Sequence, residues 1–129
     1  HAYVYFIYGM HYCFNVVTGE AGRGEAVLIR AIEPVEGLET MRRRRMRNRD
    51  LANGPAKLAV ALGIDRSHDG LNLVTSSTIW IEGGERASDS DLEVTPRVGI
   101  TRSADLPLRW RLQTDTAHVR STRSISGTR

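Results

Sequence analysis

The pattern of hydrophobic and polar positions predicts a mixture of strands and helices. Several stretches are rich in β-branched and aromatic residues or alternate between apolar and polar residues, which is typical of strands. The predicted strands are Ala2–Tyr8, Tyr12–Thr18, Glu25–Ile32, Thr78–Glu82, Arg97–Ile100 and Leu108–Leu112. Because only a flexible, glycine-containing connection separates the second strand from the third, the first three strands are predicted to form an antiparallel meander.

A first helix is predicted after Pro34. Its buried side is expected to be an apolar stripe formed by Val35, Leu38, Met41 and Met46. Acidic residues fall in the early turns of this segment and arginines in the late turns, which is the distribution that the helix dipole favours.

A second helix is predicted to begin at Pro55 and to end at Gly63. Proline suits the first position of a helix, and glycine suits the C-terminal cap. The polar stretches 66–72 and 83–91 are predicted to be loops. Together these elements predict a single α+β domain over residues 1–112, with a mostly antiparallel sheet, a protruding hairpin and two or three packed helices. Residues 113–129, rich in Ser, Thr and Arg, are expected to form a loose basic tail.

The turn between the first two strands carries unusual side chains. All 4 tyrosines of the chain lie within its first twelve residues, and the turn itself is centred on Tyr8, Gly9 and Met10. Glycine provides the backbone freedom that a tight turn needs, but a turn tip is normally polar because it meets water. An apolar tip with a phenol ring on a basic protein suggests a wedge, and a DNA base step is the natural partner for such a wedge.

Composition limits the classes of protein to be considered. The 129 residues are enough for one domain, and they include no apolar run of the length that a membrane span needs. The single cysteine, Cys13, excludes an internal disulfide and any cysteine-based metal cluster, so we expect a buried structural thiol in a reducing, cytoplasmic setting. The chain does not begin with Met and opens inside a strand-like run, so we interpret it as a fragment that lacks an N-terminal part.

The formal net charge is +3, and all 18 basic residues except Lys57 are arginine. Arginine favours bidentate contacts with phosphate, although a GC-rich genome would produce the same bias. The basic run at residues 42–49 has two interpretations. It is either a solvated helix end paired with Glu36 and Glu39, or a segment in which Arg42 or Arg45 contacts phosphate.

The start of the second helix is a candidate phosphate contact. A helix N-terminus exposes free backbone N–H groups, and Lys57 in the first turn is unfavourable there unless an anion lies nearby. Gly54 precedes the helix, but the segment lacks the glycine-rich length of a nucleotide-binding loop. A phosphate contact and plain capping both fit this pattern.

Two polar residues interrupt otherwise apolar predicted strands. Arg30 is the single charge in the third strand, and Asn15 is an amide within the second. A buried charge or amide needs a partner, so Arg30 either pairs with a distant carboxylate or serves a site. Together with tyrosines on the neighbouring strand, Arg30 and Asn15 would line a polar and aromatic pocket of the type that holds a flipped nucleobase.

Several long segments of the chain resemble the alkyladenine (3-methyladenine) DNA glycosylase family. The matching segments are residues 2–10, 25–34, 51–58 and 95–100. The resemblance extends from His1 to about Trp110, with the segments in the family's order and at the family's spacing. It implies a base-excision repair enzyme that hydrolyses the N-glycosidic bond of alkylated or deaminated purines, such as 3-methyladenine and hypoxanthine. It also implies a fold similar to the C-terminal domain of methionyl-tRNA formyltransferase, and no metal or cofactor.

The resemblance assigns roles to residues of the hairpin and the base pocket. Tyr8 would intercalate where the damaged nucleotide has left the stack, with Met10 beside it in the minor groove. Tyr5 would stack on the flipped base, and Asn15 would line the pocket and disfavour guanine. Arg30 would help to hold the attacking water with a catalytic Glu.

The resemblance also implies the partners and the setting of the protein. Gly54 and Lys57 would meet the backbone of double-stranded DNA containing damaged purines, and the protein would be a cytoplasmic, nucleoid-associated monomer without a membrane contact. Because Lys57 is the only lysine and starts a helix, a Schiff-base lyase reaction is disfavoured, and a monofunctional hydrolase is expected.

The chain departs from the family in one important respect. The general base of the family is a Glu on a helix before the hairpin, and that segment does not precede His1 in this sequence. We therefore expect weak or no excision from these 129 residues alone. Two other hypotheses remain, a non-catalytic nucleic-acid binding module and a structural domain whose tyrosines only fill the core.

Overall fold

The computed structural model describes residues 1–113, which belong to two compact units. The first unit is His1–Glu82, and the second begins at Gly83. Antiparallel sheets and two α-helices confirm the predicted α+β class. The predicted basic tail falls outside the described residues from position 114 onward.

The first unit is built on a three-stranded sheet in the order β1-β2-β3. Strand β1 is Ala2–Ile7, β2 is His11–Thr18 and β3 is Glu25–Leu28, and both pairings are antiparallel, which confirms the predicted meander. The third strand is shorter than predicted. After the Ile29 N–H donates to the Phe14 carbonyl at 3.0 Å, the chain leaves the sheet, and the Ile32 N–H donates instead to the Ala52 carbonyl at 3.1 Å.

Alternation along β1 and β2 divides their side chains between two faces. Ala2, Val4 and Phe14 are buried in the hydrophobic core, where they meet residues of both helices. Their neighbours in sequence belong to the opposite face, because successive side chains of a strand alternate. Val4 and Leu58 are fully buried, so the root of the β1–β2 hairpin is fixed in the core.

Helix α1 spans Leu38–Arg45, and the predicted apolar stripe is wrong except at Met41. Gly37 precedes the helix with φ 68°, a left-handed conformation that turns the chain and excludes Val35 from the helix. Val35 is 60% exposed, and Met46 at the C-terminal cap is 90% exposed. Only Met41 faces the core in α1.

Helix α2 spans Pro55–Leu62, and its predicted start and cap are confirmed. Pro55 occupies the first helical position, where its missing N–H is not needed. Gly63 has φ 71°, and its N–H donates to the Val60 carbonyl at 3.1 Å, which closes the helix. The polar loop predicted after α2 contains one 3₁₀ turn, Arg66–His68.

The outer edge of β1 is covered by this loop near its start. The Ala2 N–H donates to the Leu71 carbonyl at 2.8 Å, and the Ala2 carbonyl accepts from the Gly70 N–H at 3.0 Å. The next outward N–H, on Val4, donates to Asp69 Oδ1 at 2.8 Å. The outward backbone groups of Ala2 and the N–H of Val4 are thereby satisfied without another strand, which protects this part of the edge from pairing with other chains.

The second unit contains a two-stranded antiparallel sheet formed by β4, Leu92–Thr95, and β5, Arg109–Leu112. The strand predicted near residue 108 is thus confirmed, but those predicted at Thr78–Glu82 and Arg97–Ile100 do not form. In the segment Thr78–Glu82, Ile79 packs against the core, and the Ile81 N–H donates one backbone hydrogen bond to the Leu73 carbonyl. In the segment Arg97–Ile100, Gly99 has φ 76° and turns the chain.

Candidate nucleic-acid interface

The tip of the β1–β2 hairpin is a tight turn with an aromatic residue in an uncommon conformation. Tyr8 has φ 55° and Gly9 has φ 66°, and the Met10 N–H donates to the Ile7 carbonyl at 3.3 Å. Positive φ at both central positions is the pattern of a type I′ turn, and because the register pairs Ile7 with His11 the loop of the hairpin is three residues long. A residue with a Cβ costs about 1–2 kcal/mol in the left-handed region, so Tyr8 is held there at the expense of stability.

The side chains at the tip lie outside the core. Tyr8 is 79% exposed and Met10 is 68% exposed. Directly below the tip, the rings of Phe6 and Tyr12 pack with their centroids 4.9 Å apart and their planes tilted by 52°. This cross-strand pair supports the two strands just before they enter the turn.

The face of the hairpin opposite the core carries aromatic and polar side chains. The strand register pairs Tyr5 with Cys13 and Tyr3 with Asn15, so these four side chains share one face. The Tyr3 and Tyr5 rings are adjacent, with centroids 5.4 Å apart. Burial raises the pKa of the Tyr5 phenol above its ordinary value, and the neighbouring Cys13 thiol raises it further.

Asn15 is buried, and its amide is fixed. Its Nδ2 donates to the Tyr3 carbonyl at 3.0 Å, which orients the side chain within the sheet. Leu28 of β3 is the register partner of Asn15, and Arg30 follows two residues later. Arg30 is half-buried, and no carboxylate in residues 1–113 lies within 4.0 Å of its guanidinium, so the predicted pairing with a distant Glu or Asp is not found in this part of the chain.

A short hydrogen-bonded chain leads to Lys57 in the first turn of α2. The ammonium of Lys57 donates to Asn53 Oδ1 at 2.8 Å, and Asn53 Nδ2 donates to Asp50 Oδ1 at 2.9 Å. Gly54 follows Asn53 in an extended conformation. A Cβ atom placed on Gly54 would meet only the aliphatic part of the Lys57 side chain, at 3.7 Å. Space inside the protein therefore does not require glycine at position 54.

The arginine run at the end of α1 has internal contacts. Arg42 forms an ion pair with Glu39 at 3.4 Å, as the solvated-end interpretation expected. Arg45 Nε donates to the Leu51 carbonyl at 3.1 Å, and Arg44 Nη1 donates to the Ala61 carbonyl at 3.2 Å. Sequence reasoning missed the role of Arg44, which depends on the packing of α1 against α2.

A cavity of about 270 Å³ lies on the core side of β2. It is lined mainly by apolar side chains, namely Phe14, Leu62, Ile64, His68, Thr78, Ile79, Trp80 and Ile81. Because Phe14 and Asn15 alternate along β2, this cavity opens on the face opposite Asn15. It is therefore distinct from the polar and aromatic face of the hairpin.

No helix among residues 1–113 has the length and apolar character needed to cross a membrane. The same residues contain no group of three or more His, Cys, Asp or Glu side chains placed to hold a metal ion.

Comparison with known proteins identifies the family. The model of the methylpurine-DNA glycosylase family matches residues 1–116, which is most of the chain. The chain belongs to this family. It is 50% identical over 115 residues to a protein of Carboxydothermus hydrogenoformans and 46% identical over 113 residues to one of Francisella tularensis subsp. tularensis. Both relatives carry the name "Putative 3-methyladenine DNA glycosylase".

The match to these family members covers most of this chain but a smaller part of theirs. The match to the Carboxydothermus protein includes 88% of this chain and 60% of that protein. The match to the Francisella protein includes 84% of this chain and 58% of that protein. A Burkholderia cenocepacia protein of the same name is 49% identical over 114 residues, which are 85% of this chain and 55% of that protein. The chain thus spans less than two thirds of the length of these relatives.

Proposed function

We propose that this chain is the DNA-inserting part of a base-excision repair glycosylase that removes alkylated or deaminated purines, such as 3-methyladenine and hypoxanthine, from double-stranded DNA. The observation that carries the proposal is the exposed Tyr8–Met10 tip, held in a type I′ turn at the end of a hairpin whose root is fixed in the core. The ring of Tyr8 is 79% exposed and so buries little apolar surface, although its backbone is strained. It is well suited to enter a base stack.

Base flipping is the first step. Extruding a nucleotide costs a few kcal/mol of stacking and pairing energy, and least when the base is damaged. Tyr8 offsets this cost by filling the vacated space and stacking on the neighbouring bases, and Met10 contacts the minor groove beside it. The exposure of both side chains before binding means that neither has to leave the protein core.

Recognition of the extruded base falls to the face of the hairpin below the tip. Tyr5 stacks on the base, and its electron-rich ring favours a cationic alkylated purine over a neutral one. Asn15 lines the pocket with an amide whose orientation is fixed by the Tyr3 carbonyl, and this amide disfavours the exocyclic amino group of guanine.

Hydrolysis needs a water molecule and a general base. Arg30 is a half-buried guanidinium without a carboxylate within 4.0 Å in residues 1–113, and we assign it to holding the attacking water with the catalytic Glu of the family. In the family, that Glu belongs to a helix before the hairpin. These 129 residues alone are therefore proposed to bind and flip, with weak or no excision.

The phosphate backbone is contacted outside the hairpin. Lys57 and the backbone at Gly54 are proposed to meet phosphates, and Arg45 to contribute through the guanidinium N–H groups that do not bond Leu51. The enzyme is proposed to act as a monomer in the cytoplasm and as a monofunctional hydrolase.

A duplex containing one hypoxanthine tests the proposal. The chain is incubated with this duplex, the product is treated with alkali, and a parallel sample is run in a gel shift. Retention of the damaged duplex in preference to an undamaged one supports the proposed role, and strand breaks would add excision by this chain. Preferential retention with few or no breaks is the result expected of these 129 residues, and equal or no retention of the two duplexes contradicts the proposal.

A further inference from the structure

The environment of Lys57 shows how the ammonium is held without being neutralised. The ammonium donates to the neutral amide oxygen of Asn53, at 2.8 Å. Within residues 1–113 no carboxylate lies within 4.0 Å of the ammonium. An ammonium has three N–H donors, and the bond to Asn53 uses one of them. The positive charge and two donors remain for an acceptor outside the protein.

Asn53 can occupy only one amide orientation between its two neighbours. The Asp50 carboxylate accepts hydrogen bonds and cannot donate, so the NH₂ group of Asn53 must face it, as the 2.9 Å contact from Nδ2 shows. The ammonium of Lys57 donates and cannot accept, so the amide oxygen must face Lys57. The amide therefore separates the carboxylate from the ammonium and links both.

From this geometry we infer that Asn53 is a positioning residue, which holds the Lys57 ammonium ready for a DNA phosphate while keeping the Asp50 carboxylate from neutralising it. The inference rests on the proposed function, because it requires that Lys57 contacts phosphate. A lysine side chain that is already held in place loses less conformational entropy when it binds. Asp50 itself has φ 53°, so its backbone is held in the left-handed region at the start of this chain of hydrogen bonds.

Because Asn53 lies between Asp50 and Lys57, different substitutions of Asn53 should weaken DNA binding to different extents. Asn53→Ala releases the lysine side chain, and about two- to tenfold weaker DNA binding is expected. Asn53→Asp keeps an acceptor beside Lys57 but forms an ion pair with it and places a second carboxylate next to Asp50. It should therefore weaken binding more than Asn53→Ala, although the lysine stays in place. Asn72→Asp is the matched control, because it introduces the same charge at another exposed asparagine of the same unit.

Binding of the 129-residue chain to a duplex with one hypoxanthine is measured by fluorescence anisotropy at several salt concentrations. The logarithm of the binding constant falls linearly with the logarithm of the salt concentration. Lys57→Met should make this slope shallower by about 1, as expected for the loss of one phosphate contact. Asn53→Ala should weaken binding in the native chain but have no further effect in the Lys57→Met background, because Asn53 acts through Lys57. Melting temperatures of all variants show whether the fold is retained.

A second readout needs no DNA. Lys57 is the only lysine, so the side-chain ammonium gives one lysine signal in a nitrogen-15 NMR spectrum of the labelled protein. In the native chain the bond to Asn53 should slow exchange of its protons with water, and in Asn53→Ala the signal should broaden or vanish. An unchanged signal would overturn the inference.

The binding results separate the two proposals. If Lys57→Met alters neither affinity nor slope, or if the native chain does not bind DNA, the phosphate contact fails and the inference with it. If Lys57→Met weakens binding while Asn53→Ala does not, the contact stands and the role of Asn53 is wrong. If Asn53→Asp and Asn72→Asp weaken binding equally, the effect is one of net charge, and the positioning role is again contradicted.

Discussion

Replacing Tyr8 by Asn separates the wedge from the turn that carries it. Asn followed by Gly is strongly preferred in type I′ turns, because Asn tolerates positive φ. Tyr8 has φ 55° and is 79% exposed, so the change removes no core contact and relieves part of a conformational cost of about 1–2 kcal/mol. The free energy of unfolding should therefore stay constant or rise by up to about 1 kcal/mol.

DNA binding should change in the opposite direction. Stacking of an aromatic side chain on a base contributes about 1–3 kcal/mol, which corresponds to roughly a five- to 150-fold increase in Kd when it is lost. Fluorescence anisotropy with a duplex containing one hypoxanthine measures the affinity. A fluorescent base analogue beside the lesion reports unstacking, and its signal should decrease in Tyr8→Asn. Chemical denaturation of the same samples measures stability.

The control must change an equally exposed apolar side chain elsewhere in the same unit. Val74 is 85% exposed, and Val74→Asn should alter neither affinity nor the signal of the base analogue. If Tyr8→Asn retains both the native affinity and the native base signal, the ring does not stack on DNA, and the reasoning from its exposure and strain is refuted. A loss of affinity together with a loss of stability would equally contradict the expected separation of the two effects.

Three further predictions concern the fold. Leu58→Ala removes a fully buried side chain of α2 and should lower the free energy of unfolding by about 2–5 kcal/mol in a urea titration. Asp69→Ala leaves the Val4 N–H without its acceptor and should cost about 1–3 kcal/mol, whereas Asp69→Asn retains an acceptor oxygen and should cost less in the same titration. Burial raises the pKa of Tyr5 in the folded protein above the ordinary value for tyrosine. The stability that neutral Tyr5 contributes is therefore fully present below the ordinary pKa. It is lost as the pH rises through the higher pKa of the folded state. Spectrophotometric titration should show a late phenolate step that is absent in Tyr5→Phe.

The parts of the fold that the sequence predicted correctly depend on local signals. Strand alternation and the turn at Tyr8–Gly9 determine the register of the β1–β2 hairpin within seventeen residues. Pro55 and Gly63 mark the two ends of α2 by their backbone preferences alone. In each case the residues that specify the element belong to the element or adjoin it.

Two of the errors occurred where distant residues decide the outcome, whereas the wrong stripe of α1 and the missing strand at Arg97–Ile100 follow from the local left-handed backbone of Gly37 and Gly99. Ile79 and Ile81 have the composition of a strand, but their neighbourhood supplies one backbone bond to Leu73 and no ladder. The segment Leu92–Thr95 was missed because its strand character depends on pairing with Arg109–Leu112, which follows a long connection. Single-sequence patterns contain little information about such pairings.

In the candidate site, unusual side chains were evident from sequence, whereas specific contacts between side chains were not. The aromatic tip was evident from sequence because a turn with a phenol ring is unusual wherever it occurs. The link from Asp50 through Asn53 to Lys57 was not evident, since hydrogen bonds between such side chains depend on the left-handed backbone at Asp50 and on the start of α2. The partner of Arg44 likewise required the packing of two helices.

The arginine run illustrates why charge counted along a sequence is a poor measure of attraction to DNA. Arg42 is partly neutralised by Glu39, whereas Arg44 and Arg45 donate to backbone carbonyls and so keep their full charge. A guanidinium bound to a carbonyl is fixed in place, and the bond of Arg44 to Ala61 also satisfies a carbonyl in the last turn of α2, where a cation is favourable. Both arginines are therefore positioned charges, Arg44 by the packing of α1 on α2 and Arg45 by the connection that precedes α2. If the proposed DNA binding is correct, a phosphate attracted by either arginine has to approach the surface on which that arginine is held.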